Sequence, residues 1–129
     1  MEGERVGPIL VVSARWQTRA LLAAELGERV ERDVLSVADV DEALALIKLA
    51  GVDPILMVVD AGGQMGPEDV ERLSEAKSGT GLILVVSALR GDSFTSLRPR
   101  CSRYLTRPVS IGAIADAVVR VLAGQGTAS

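Results

Sequence analysis

Apolar runs recur at residues 8–12, 33–37, 55–59, 82–86 and 103–106, and between them the apolar positions repeat with the period of a helix. The runs ILVV, ILMVV and LILVV offer no polar residue on either face. Strands read this way when helices cover both sides of them, as at the centre of a parallel sheet. After the first run, Leu21, Leu22, Glu25 and Leu26 are placed on one helical face. Asp39 and Asp41 are both candidates to cap the second helix, in which Ala43, Leu44 and Ile47 line a face. Pro67, followed by Glu68 and Asp69, marks the start of a third helix with Val70 and Leu73 turned inward. Ser110 reads as the N-cap of the last helix, whose inner stripe is Ile111, Ile114, Ala115, Val118 and Leu122. Residues 90–100 have the weakest periodicity and predict a short or irregular fourth helix.

Strands alternating with helices at this spacing predict an α/β fold: a doubly wound, five-stranded parallel sheet with helices on both faces. One domain is expected over residues 1–122, with AGQGTAS at 123–129 as a flexible tail or linker. In a doubly wound sheet the working edge lies where the strands' C-terminal ends meet. Ser13 and Ala14 fall there after the first strand, Asp60 after the third, Ser87 after the fourth, and Thr106, Arg107 and Pro108 after the fifth.

Composition narrows the chemistry. The 129 residues are 48% hydrophobic and 24% charged, enough for one real core, and its packing must be aliphatic because Trp, Tyr and Phe occur once each. No histidine is present, which removes imidazole acid–base catalysis, the common zinc sites and phosphotransfer to histidine. No nucleophile–base pair can be assembled from what remains, so no enzyme activity is expected. A net charge of −3 with interspersed signs gives no reason to expect nucleic-acid binding. The start, MEGERVGP, lacks the pattern of a signal peptide, and no apolar run approaches the ~20 residues that span a bilayer. With Cys101 as the lone cysteine, the expected location is the cytoplasm.

The residues at the converging strand ends resemble, in order and spacing, the response-regulator receiver domain. In VVDAGG, Asp60 falls on that family's phosphoacceptor. In LVVSA, Ser87 falls on the hydroxyl residue that bonds the phosphoryl group, and Ala88 on the small residue after it. In RYLTRPVS, Tyr104 falls on the aromatic switch position and Arg107 on the conserved-lysine position before Pro108. Arg19 and the stretch ADVDEAL also look like the family. The resemblance runs from Val6 to Leu122 and implies the flavodoxin-like strand order 2-1-3-4-5. It implies a cis peptide between Arg107 and Pro108, and protein partners, homodimerisation included, on the face of helix 4, strand 5 and helix 5.

Departures from the family pattern carry as much meaning as the matches. Family members end the first strand with an acidic pair that helps hold Mg²⁺; here the pair is Ser13 and Ala14. Mg²⁺ favours oxygen ligands that include carboxylates, so Asp60 alone predicts a poor metal site. Without the metal, a transferring phosphoryl group loses its main electrostatic stabiliser. Arg107 is instead placed to pair with Asp60 directly. The expectation is a degenerate, pseudo-receiver signalling module that works by protein contact, with no metal and no cofactor.

Two alternatives stay open at this point. One is an active phosphorelay receiver phosphorylated on Asp60. The other is a flavodoxin-like domain binding a small ligand at residues 13–18, although few aromatic residues exist to sandwich a flavin. Plainer roles also suit single residues: Ser87 as a satisfied strand-end hydroxyl, Tyr104 as a rim aromatic, Cys101 as an inert small residue. Trp16 is expected to pack over the loop edge or, if exposed, to serve as a contact anchor, and Glu68, Asp69, Glu71, Arg72 and Glu75 to form a solvated helix face.

Overall fold

The structure, a computed structural model, describes residues 7–127, without the side chains of residues 90–92 and 125–127. The first six residues of the expected domain lie outside it. The chain alternates β1 (Ile9–Ser13), α1 (Trp16–Arg29), β2 (Val34–Val37), α2 (Val40–Lys48), β3 (Leu56–Ala61), α3 (Pro67–Ala76) and β4 (Gly81–Val86). A 3₁₀ turn (Ala88–Arg90), a one-turn α4 (Gly91–Phe94) and a second 3₁₀ stretch (Thr95–Arg100) then lead to β5 (Arg103–Thr106) and α5 (Ile111–Thr127). The five strands form one sheet in the order β2-β1-β3-β4-β5, and every pairing is parallel.

Alternation along each central strand divides the core in two. Leu10, Val12, Met57, Val59, Leu82 and Leu84 face α2, α3 and the α4 segment, where Val70, Leu73, Phe94 and Leu97 meet them. Ile9, Val11, Leu56, Val58, Ile83 and Val85 face α1 and α5, where Leu22, Leu26, Ile114 and Val118 close the layer. Burying each such side chain contributes about 1.5–3 kcal/mol, so the two aliphatic layers hold the strand ends in fixed register.

Helix ends follow local chemistry. Asp39, rather than Asp41, caps α2: its Oδ1 accepts the Glu42 N–H at 2.8 Å. Ser110 Oγ accepts from the Ala113 N–H, as its position predicts. Leu21 is 58% exposed, not part of the inner face of α1; Leu22 and Leu26 alone are buried there. One helical position turns a side chain by ~100°, which carries Leu21 past the stripe set by Leu22 and Leu26. α5 continues through Thr127, so residues 123–127 are helical where linker composition predicted a tail. Gly124 and Gly126 lower helix propensity, but extending a packed helix needs no new nucleus.

Gly7 sits where the incoming chain crosses the entry to β3. A Cβ there would lie 2.1 Å from the Asp53 carbonyl oxygen and 3.0 Å from the Ile55 nitrogen. Ile55 N–H also donates to Pro8 O at 2.9 Å, which fixes this approach. Gly7→Ala is therefore expected to destabilise the domain by about 2 kcal/mol through backbone displacement. A denaturant midpoint equal to that of the unsubstituted protein would show that the crossing relaxes freely.

Candidate functional site

The parallel register of β1 and β3 sets Ser13 beside Asp60, each within its strand rather than beyond it. Both are buried, and they are the only polar residues among the described residues that are. Ser13 Oγ donates to Asp60 Oδ2 at 2.8 Å and accepts the Arg15 N–H at 3.2 Å. The hydroxyl thus serves Asp60 and the turn into α1 together. Ala14 is exposed and offers no oxygen from its side chain.

Arg107 arrives from the far side of the sheet. Its N–H donates to Val86 O at 2.8 Å, which continues the β4–β5 ladder by one bond, and the peptide to Pro108 is cis. Its side chain reaches across β4 to β3, where Nη2 lies 2.6 Å from Asp60 Oδ1. The two atoms lack the alignment of a hydrogen bond, and neither has another hydrogen-bond partner among the described residues. The contact is therefore charge on charge. The Asp60 side chain is 6% exposed and that of Arg107 21%, so the pair is largely withdrawn from water. Each carboxylate oxygen of Asp60 is engaged, one by a hydroxyl and one by a guanidinium.

The other sequence-singled residues do not join this cluster. Ser87 Oγ accepts the Leu89 N–H at 3.1 Å and so closes the local turn after β4. Tyr104 is half-buried against the α2–α3 core layer, with the Arg98 guanidinium 5.0 Å from its ring centre. Cys101 is half-buried, donates to Leu97 O, and burial pushes its thiol up to about 11, which keeps it protonated and unreactive at neutral pH. Trp16 is 65% exposed; it begins α1 and does not pack over the loop edge. The acidic residues of α3 are more than a solvated face. Arg72 pairs with Asp41 and Asp69, and Arg100 with Glu71 and Glu75, tying α3 to α2 and to the segment before β5.

Two arginine contacts at this edge are not given by helical periodicity. Arg19 Nη1 donates to Ser13 O at 2.7 Å and pins the end of β1. Arg15 lays its guanidinium over Gly62, its Nη2 3.5 Å from where a Cβ on that glycine would sit. Helical periodicity says nothing about Arg15, because it is the extended N-cap residue of α1. Beside this edge a cleft of about 270 Å³ is lined by Ala14, Gly62, Met65 and the carboxyl-bearing Asp39, Asp41 and Asp69, all three already bonded to backbone N–H groups or Arg72.

The receiver family's Mg²⁺ does not fit these residues. Among the described residues no three acidic, histidine or cysteine side chains gather to hold a metal. A metal at Asp60 would have to compete with Arg107 or Ser13 for a carboxylate oxygen, and Ser13 and Ala14 bring no second carboxylate. A flavin phosphate would likewise find Ser13 fully buried and its hydroxyl in use. Among the described residues, no helix is long and apolar enough to cross a membrane.

No protein-family model matches the chain. No curated protein matches it either. Solved structures do. The signal receiver domain of an HD domain-containing protein from Pseudomonas fluorescens Pf-5 superposes with a TM-score of 0.77 at 23% identity, covering 96% of this chain and 100% of that one. The receiver domain of a Francisella response regulator gives 0.72 at 21% identity, over 94% and 99%. A response regulator receiver domain protein from Clostridium thermocellum gives 0.72 at 15% identity, over 93% and 97%. Likeness at these identities is one of fold, and it agrees with the all-parallel strand order β2-β1-β3-β4-β5: the chain adopts the receiver-domain fold of response regulators.

Proposed function

We propose that this domain is a signal-transduction module of pseudo-receiver type, working by protein–protein contact without Mg²⁺-dependent phosphorylation of Asp60. The observation that carries this reading is the double occupation of Asp60, by Ser13 Oγ at 2.8 Å and Arg107 Nη2 at 2.6 Å. A phosphoacceptor must present a free carboxylate oxygen in line with a donor phosphorus, with cationic charge shared over the transferring group. Here the nearest cation neutralises the acceptor itself. Ser87 and Tyr104 keep the positions of switch residues, but the Ser87 hydroxyl is turned to its own loop.

The partner face in this reading is α4, β5 and α5. β5 is an edge strand, and Arg98, Arg103, Val119 and Arg120 stand exposed around it, a mixture of cations and apolar surface suited to a protein partner or a second copy. A cytoplasmic setting accords with the unpaired Cys101.

Incubation with acetyl phosphate and Mg²⁺, followed by intact-mass measurement, tests the central claim. The expected spectrum is that of the unmodified chain. A stoichiometric phosphoryl increment that disappears in Asp60→Ala would overturn the reading and restore an active phosphorelay receiver.

A further inference from the structure

The two outer strands of the sheet sit in surroundings of opposite charge. Residues 30–47, which hold β2 and most of α2, contain five acids and one cation, Arg32, which is partly buried and already engaged. Residues 93–115, which hold β5 and the segment before it, contain four arginines and no acid. Arg100 and Arg107 are committed to acids of their own domain. Arg98 and Arg103 are exposed, and neither has an ion-pair partner among the described residues. Asp33, just before β2, and Glu42, in the first turn of α2, are exposed and equally without one. The strand order sets the two groups at opposite edges of one sheet, so they do not meet within a single copy.

Both edges also keep an open side. Among the described residues β2 pairs with β1 alone and β5 with β4 alone, so each presents a row of unpaired backbone N–H and C=O groups. The sequence of β2, VLSV, holds no charged residue and no proline to blunt its edge. We infer that a second copy of this chain docks here head to tail, the β5 edge of one against the β2 edge of the next. Arg98 and Arg103 then face Asp33 and Glu42 of the next copy. The two symmetric joints fail on charge: β5 against β5 sets arginine against arginine, and β2 against β2 sets acid against acid. A joint between unlike edges leaves every pair with one free edge of each kind, so association continues beyond two copies unless a ring closes. Its charges are exposed, which makes the joint weak and sensitive to salt.

The inference rests on the reading that this domain works by protein contact at β5, and it names the partner of that face. Its test uses no phosphodonor, so the two can fail separately. Sedimentation velocity of the whole chain is followed at rising protein concentration, in about 10 mM and in about 1 M salt, where charges are screened beyond about 30 Å and about 3 Å. In low salt the average mass should climb past that of a dimer, and in high salt it should return to that of the monomer. Arg98→Gln with Arg103→Gln, and separately Asp33→Asn with Glu42→Gln, should each weaken association about tenfold or more. Each double variant keeps one edge intact, so an equal mixture of the two should form a 1:1 pair and grow no further. A monomer at every concentration in low salt overturns the inference and leaves these edges to a different protein. Association that persists undiminished in 1 M salt, or in either double variant alone, overturns it as well, the latter in favour of a symmetric joint.

Discussion

Replacing Arg107 by alanine is expected to lower the unfolding free energy by about 3 kcal/mol, the cost of leaving a buried charge without its partner. The Asp60 side chain is 6% exposed, and after the substitution Ser13 Oγ is its remaining partner. One hydroxyl offsets part of the desolvation of a carboxylate and none of its charge. The reverse substitution, Asp60→Ala, should cost less. Arg107 is 21% exposed and its long side chain can carry the freed guanidinium toward water. In the double variant no buried charge is orphaned, so the summed single effects should exceed the double effect by at least about 1 kcal/mol. Denaturant unfolding of all three variants gives this coupling directly. A coupling near zero would mean that the 2.6 Å approach is an incidental surface contact, and Asp60 would then be free for chemistry.

The sequence displays most of this fold because its signals are local. Two-sided apolar runs identify β1, β3 and β4 as central strands, and their order in the sheet follows from the receiver resemblance. Ser110 and Asp39 mark helix starts through short-range hydrogen bonds, and Pro67 through its fixed φ at the first helical position; neither needs tertiary context. The Asp60–Arg107 contact is also readable, since strand-end residues of a parallel sheet are brought to one edge by topology alone. What the sequence hides depends on directions that periodicity does not fix. Leu21 and Leu22 are both leucine, and one turns outward while the other is buried. Arg15 lies over Gly62 because an extended N-cap residue aims its side chain by the loop, not by the helix. Ser87, which the resemblance puts on a phosphoryl-bonding position, accepts the Leu89 N–H of its own turn, a local side-chain–backbone bond that periodicity does not show. The α3 acids, taken singly, look like solvent-facing charge, and only the packing of α2 and the segment before β5 supplies Arg72 and Arg100 with their partners.

Phe94→Ala should be the most damaging of these substitutions, at about 4 kcal/mol, within the range for removing a buried aromatic ring. Phe94 is the chain's one phenylalanine and is fully buried in the core layer shared with α2 and α3. α4 is four residues long, far below the length at which a helix persists unaided, and it is flanked by 3₁₀ turns with poorer hydrogen-bond geometry. Leu97 is the other buried side chain described between residues 88 and 100. Losing the ring should therefore unfasten this segment as well as lower global stability, and with it the Arg98–Tyr104 stack on the proposed partner face. Amide hydrogen exchange separates the two effects: protection between residues 88 and 101 should fall more than in β1 and β3. Phe94→Leu refills most of the volume and should cost about 1 kcal/mol, with exchange close to the unsubstituted protein. A cost below about 1 kcal/mol for Phe94→Ala, with unchanged exchange, would mean that the segment is held by its backbone and by the Arg100 ion pairs instead.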